Sequence, residues 1–245
     1  MSLFKKDVFG RPYFIKKWVI RIIGLLSYRR FKGINSLKIT GSKNLKNLPN
    51  NNVLFISNHQ TYFADATAII HVINASLKGR NDNINNIGYI WKPMLNLYFI
   101  AAKETMNNGL FPKILSYAGS IPIERTWRSN GKNLKRPVNE DNLKSIDLAL
   151  KDGWVITFPQ GTTTAWKPVR KGTAHMILKN KPTVIPIVID GFRRSFDKKG
   201  LVLKKRGSIQ KMNIKPPMKI DYEKDSVEVI VDKLELAIEQ HHTNR

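Results

Sequence analysis

The chain has 245 residues, 42% of them hydrophobic, enough for one sizeable core, so a single domain with an appended N-terminal segment is expected. It contains no cysteine, which excludes disulfides, thiolate zinc sites and a cysteine nucleophile. Lys and Arg number 42 against 18 Asp and Glu, giving a net charge of +24 and a pI of about 10.2; such a field attracts polyanions, nucleic acid or an anionic bilayer, and charge alone does not choose between them.

Taken in order, residues 1 to about 36 form a basic segment whose apolar run is interrupted by Lys16, Lys17 and Arg21. It has neither the ~18 uninterrupted apolar residues of a spanning helix nor a cleavable signal pattern. On a helix, Phe14, Trp18, Arg21, Ile22 and Leu25 lie along one side, with Lys16 and Lys17 away from that row. The pattern fits an amphipathic helix lying in a membrane interface, with aromatics toward lipid and cations toward headgroups. The expected location is the cytoplasmic face of the cell membrane, peripherally bound.

Leu37–Thr40 and Val53–Ile56 are predicted strands, the second buried, and residues 66–77 a buried helix. Residues 87–90 and 97–102 are predicted strand-like, and residues 111–118 a short helix closed at Gly119. Residues 121–123 are extended, with Pro122 favouring an edge strand. A basic loop covers 126–136, and a helix runs from Val138 to Leu150 and ends at Gly153. Trp154–Phe158 is a buried strand, 172–178 a helix and 184–189 another strand, in which Pro186 implies an edge or a bulge. Residues 201–203 and 212–214 are predicted edge strands, and a helix from Ser226 to about His241 closes the chain. Strands alternating with helices imply an α/β fold: one domain with a mixed, mostly parallel sheet covered by helices.

Four stretches carry candidate chemistry. Ser57-Asn58-His59 opens the loop between the second strand and its helix, and Asp65 is near enough in sequence to hydrogen-bond one imidazole nitrogen, leaving the other to take a proton. Gly119 to Arg125 puts a guanidinium at a strand end, suited to gripping phosphate. Phe158-Pro159-Gln160-Gly161-Thr162 places a glycine turn after a buried strand, where backbone amides meet a phosphate or an oxyanion. Val184 to Val188 is an apolar strand containing Pro186.

In this order the four stretches resemble the motifs of the glycerolipid acyltransferase family, whose best-known member type is 1-acylglycerol-3-phosphate acyltransferase. The family's pattern is Asn-His-four residues-Asp, then Gly-five residues-Arg, then Phe-Pro-Glu-Gly-Thr-Arg, then an apolar strand with Val/Ile-Pro. Here five residues, not four, separate His59 from Asp65, and Gln160 and Thr163 stand where the family has Glu and Arg. Ala102-Lys103-Glu104 and Lys171-Gly172 also look like the family's intervening sequence, and the likeness runs from about residue 37 to about 190. Residues 37–245 are thus expected to be the acyltransferase domain.

What the resemblance implies is direct transfer of a fatty acyl group from acyl-CoA or acyl-carrier protein to a lysophospholipid hydroxyl, with no cofactor, metal or acyl-enzyme. The first-choice acceptor is 1-acylglycerol-3-phosphate, giving phosphatidic acid; another lyso-lipid, such as a lyso amino-acid lipid, is the alternative. His59 and Asp65 take the catalytic roles. Asn58, Lys103, Arg125, Gln160, Gly161, Thr162, Arg170 and Lys171 are the substrate-binding candidates. The expected partners are an anionic membrane surface, the lipid acceptor and the acyl donor. Nucleic acid is not expected, since no recognised binding motif is present; a basic nucleic-acid-binding protein, or a peripheral membrane protein without activity, is the rival of another class.

Overall fold

A computed structural model describes residues 5–107, 109–124, 128–129, 132–133 and 140–241. Along them run α1 (Tyr13–Phe31), β1 (Ser36–Thr40), β2 (Val53–Ser57), α2 (Ala64–Ser76), β3 (Leu97–Ala102), α3 (Lys103–Asn107), α4 (Leu110–Ser116) and β4 (Ser120–Ile123). The two-residue strands β5 (Arg128–Ser129) and β6 (Lys132–Asn133) follow, then α5 (Glu140–Asp152), β7 (Trp154–Thr157), α6 (Lys171–Asn180), β8 (Thr183–Asp190), α7 (Phe192–Ser195), β9 (Ile209–Ile214) and α8 (Val227–Ala237).

Seven strands form one sheet in the order β1-β9-β8-β2-β7-β3-β4. The five strands from β8 to β4 are mutually parallel; β9 runs antiparallel to β8, and β1 parallel to β9. Every residue of β2 and β7 is buried, as strands covered on both faces must be. Alternate β2 side chains serve two cores: Val53 and Phe55 join the apolar residues of α1 and α2, while Leu54 and Ile56 join those of α5, α6 and α8. The result is a sheet between two helical layers. Its five parallel strands all end on one edge, so the loops after β2, β3, β4, β7 and β8 emerge together, where ligands bind open α/β sheets.

Several expectations change. Residues 87–91 form a 3₁₀ turn, not a strand; the Asn86 side chain accepts from the Gly88 amide at its start, and neighbouring Tyr89 and Ile90 are both buried, which an alternating strand does not allow. β9 is not an edge strand but lies between β1 and β8, and residues 201–203 contribute only an isolated bridge from Leu203 to Phe196. β8 is interior although it contains Pro186. The Pro186 carbonyl accepts from the Lys215 amide, so its nitrogen, which has no hydrogen to donate, faces the same side, just past the end of β9. β4 is an edge strand, in keeping with Pro122. The basic loop 126–136 and the expected helix start at Val138 fall largely outside the described residues.

The N-terminal helix differs from expectation at one of its lysines. Its apolar row is exposed at Phe14, Trp18, Ile22 and Leu25, joined by Ile15 and Leu26, whereas Lys16 is fully buried. The Lys16 ammonium lies 3.4 Å from Asp7 Oδ2 and 4.0 Å from the centre of the Tyr98 ring. Burial, opposed by Asp7, pulls it down to about 8. Asp7 also binds Arg11 Nε at 2.8 Å, and Arg11 Nη1 reaches the Ser116 and Ser120 carbonyls, both at 2.8 Å. This cluster fastens the N-terminal segment to the start of β4. Removing one member of a buried ion pair leaves an uncompensated charge. Asp7→Ala should therefore lower unfolding free energy by about 3–5 kcal/mol in urea denaturation, with Lys16→Met much milder because Asp7 keeps its pairing with Arg11.

Candidate active site

The site begins where β2 ends. Ser57 is the last strand residue, and 58–63 turn back before α2 starts at Ala64, which puts Asp65 in the first helical turn. Its carboxylate is fully buried. Oδ2 accepts from the amides of Gln60 (2.5 Å) and Thr61 (2.9 Å) and lies 2.9 Å from His59 Nδ1, while Oδ1 accepts from the Thr61 hydroxyl at 2.7 Å. A carboxylate in a first turn also faces the favourable end of the helix dipole. With Oδ2 already an acceptor twice over, the ring nitrogen is the donor in its pair, so Nδ1 carries the proton and Nε2 is an acceptor.

The five-residue spacing is accommodated by a second loop. Tyr62 and Phe63 donate their amides to the carbonyls of Lys198 and Lys199. Gly200 packs so closely there that a Cβ on it would stand 2.6 Å from the Ala64 nitrogen and 2.9 Å from the Thr61 hydroxyl. With φ at +78°, that position accepts glycine readily and other residues only under strain. The His59 ring stacks on Phe158, centroids 4.0 Å apart and planes 18° from parallel, and its side chain is 14% exposed. The first and third motifs thus meet through an imidazole lying flat on a phenyl ring, still open to a reactant.

The other sequence candidates divide. Asn58 is buried, and its amide is engaged twice by β8: Nδ2 donates to the Ile189 carbonyl and Oδ1 accepts from the Ile189 amide. It therefore ties the end of β2 to β8. Gln160 is 1% exposed and turned away from the cleft; its Nε2 donates to the Lys167 carbonyl and reaches Gln240 Oε1, while its own Oε1 is buried without a hydrogen bond. Gly161 sits at φ +64° in the turn, and its amide is used by the Phe158 carbonyl. The Thr162 hydroxyl accepts from the Thr164 amide. Thr162 and Thr163 keep amides with no hydrogen bond to another described residue.

Lys103 and Lys171 both have their charge met: Lys103 lies 2.9 Å from Glu124 at the ends of β3 and β4, and Lys171 lies 2.8 Å from Glu228 of α8. Arg170 leads into α6, its amide bonded to the Pro159 carbonyl at 2.9 Å. Arg125 lies outside the described residues; β4 stops two residues before it. His71, set aside as structural in the sequence, is a buried strut: Nδ1 pairs with the Tyr89 hydroxyl and Nε2 with Ser27, and burial pushes its pKa down to about 4.

Sequence reasoning missed two residues that shape the site. Gln60 accepts the amides of Phe192 and Arg193 on Oε1 and donates Nε2 to the Ile189 carbonyl. Arg193 extends one guanidinium nitrogen, Nη2, to the carbonyls of both His59 and Thr163. The only local signal was the pair Arg193-Arg194 just past the fourth motif, which reads as ordinary surface charge. A cavity of about 250 Å³ opens beside the loop, between Ile23, Leu26 and Phe31 of α1, Phe63 before Asp65, and Phe196 and Leu201.

Comparison with known proteins agrees with this arrangement. The family model described as Acyltransferase matches residues 36–190, which span β1 to the end of β8 and include His59, Asp65, Phe158 and Gly161. Among solved structures, the chain is similar to the 1-acyl-sn-glycerophosphate (LPA) acyltransferase PlsC from Thermotoga maritima, at 19% identity and a TM-score of 0.56, over 91% of this chain and 78% of that one. At that identity the likeness speaks for the fold. No curated protein matches the chain. With more than half of its length matched by the family model, and with the motif loops converging at the strand ends, the chain belongs to the acyltransferase family.

Proposed function

We propose that the protein is a lipid O-acyltransferase that moves a fatty acyl group from acyl-CoA or acyl-carrier protein to the hydroxyl of a lysophospholipid, with 1-acylglycerol-3-phosphate the first-choice acceptor and phosphatidic acid the product. One observation carries this reading: a buried carboxylate fixes the His59 tautomer from one side, Phe158 fixes the ring plane, and Nε2 is left to act as a base. His59 Nε2 takes the proton of the acceptor hydroxyl as its oxygen bonds to the thioester carbonyl carbon. Negative charge then gathers on the carbonyl oxygen, and the amides of Thr162 and Thr163 are suited to meet it. When the tetrahedral intermediate collapses, the carbon–sulfur bond breaks and His59 returns its proton to the thiolate. Asp65 keeps the ring oriented and stabilises the imidazolium between the two transfers.

The surface supports a membrane-bound substrate. The exposed row of α1 is continued by Trp91, whose ring and that of Trp18 each lie 5.0 Å from the Arg21 guanidinium, and Arg21 Nη2 donates to the Trp91 carbonyl. Among the described residues no helix is long and apolar enough to cross a membrane. We therefore place α1 in the interface, on the cytoplasmic face of the cell membrane, with the cations around it meeting anionic headgroups. The cavity beside Phe63 suits an apolar acyl chain.

Purified protein given labelled acyl thioester and a panel of lyso-lipids should acylate at least one acceptor, and His59→Ala should cut that turnover by about 10²–10⁴-fold; transfer undiminished in the variant defeats the mechanism. Asp65→Asn should move the ring proton of His59 away from Nδ1, visible in the ring ¹⁵N shifts, together with a comparable fall in turnover. Trp18→Glu combined with Leu26→Glu should abolish flotation with anionic vesicles; flotation equal to wild type would place the membrane contact elsewhere.

A further inference from the structure

One guanidinium outside all four motifs is fastened to the loop that carries His59. Lys103 and Lys171 face Glu124 and Glu228, and Arg194 pairs with Asp190 at 2.8 Å. Arg193 is different. It is exposed at the surface, and among the described residues its side chain is held by the carbonyl oxygens of His59 and Thr163, both bound through Nη2. Carbonyls orient a guanidinium but do not neutralise it. Nε and Nη1 make no hydrogen bond to another described residue, so donors and a full positive charge remain available for an anion. The attachment to the His59 carbonyl holds that charge against the backbone of the residue that carries the imidazole. Thr163, beside it, contributes no charge. The Arg193 backbone is held as well, its amide donating to Gln60 Oε1 at 3.2 Å, so the group is placed from both ends.

We propose that Arg193 is the acceptor-selecting residue: its guanidinium binds the anionic headgroup of the lyso-lipid and sets the acceptor hydroxyl against His59. The acceptor class is therefore a phosphate-bearing lyso-lipid rather than an uncharged monoacylglycerol. This rests on the transferase reading, but the anion site it names does not require turnover. A guanidinium presents several donors in a fixed plane to phosphate, whereas an ammonium of similar reach is a point charge. Arg193→Lys should therefore recover part of what Arg193→Gln loses.

Two measurements on the full-length protein test it. In the first, transfer to lysophosphatidic acid and to monoacylglycerol is compared. Arg193→Gln should lower the ratio of kcat/KM for the charged over the uncharged acceptor by at least ten-fold, with Arg193→Lys intermediate. An unchanged ratio, with both acceptors used less well, would reduce Arg193 to a bracket between two loops and overturn the proposal. In the second, sn-glycerol 3-phosphate is titrated calorimetrically without any acyl donor. Wild type should bind it at least ten-fold more tightly than Arg193→Gln; equal binding, or none by the wild type, overturns the anion site. Should Arg193-dependent binding be found in a protein that transfers no acyl group, the anion site stands and the transferase reading fails.

Discussion

The carboxylate of Asp65 has no contact with solvent and gathers four hydrogen bonds, two from backbone amides, one from a hydroxyl and one from an imidazole. A buried carboxylate is tolerated only when its oxygens are met in this way, and each amide left without its acceptor would cost about 1–3 kcal/mol. The loop from Asn58 to Phe63 therefore has one well-satisfied arrangement, and in that arrangement His59 Nδ1 is a donor. The group that orients the base is also the group around which the loop folds. Tautomer, ring position and loop geometry stand or fall together.

Everything else at the cleft braces that loop from outside. β8 takes hold of Asn58 and Gln60 through Ile189, and the turn after β8 returns the contact through Arg193. Residues 197–200 hold the amides of Tyr62 and Phe63. On the far side, α8 and the residues after it brace the segment that follows β7: Glu235 accepts the Val169 amide, and Gln240 accepts the Trp166 amide. Gln160 joins this brace and not the cleft. A polar side chain at a motif position has here become part of the scaffold.

The N-terminal helix carries apolar side chains on its outer face as well as its inner one, where Ile20 and Phe31 join the core. Its ammonium at position 16 is inside, matched by Asp7 and the face of Tyr98, while indole and aliphatic side chains are outside. Because Arg11 of the same cluster grips the carbonyls at either end of the link between α4 and β4, the helix with the exposed apolar row is tied to the start of β4.

By itself the sequence determined the alternation of strands and helices, the buried runs at 53–56 and 154–157, the edge position of Pro122, and the identity and order of His59, Asp65 and the Phe158–Thr162 turn. These are local properties: apolar runs, turn residues and motif spacing are written over a few neighbouring positions. Tertiary structure decided what spacing cannot encode. β9 became an interior strand because β1, 173 residues earlier in the chain at Ser36↔Ile209, pairs along its outer side; Lys16 went inside because Asp7 and Tyr98 were there to receive it; Gln160 turned toward Gln240. Arg193, 134 residues from His59 in the chain, reached that residue's carbonyl only because the sheet places β8 beside β2, and hydrogen bonding at that range depends on which strands are neighbours, which no short window of residues contains.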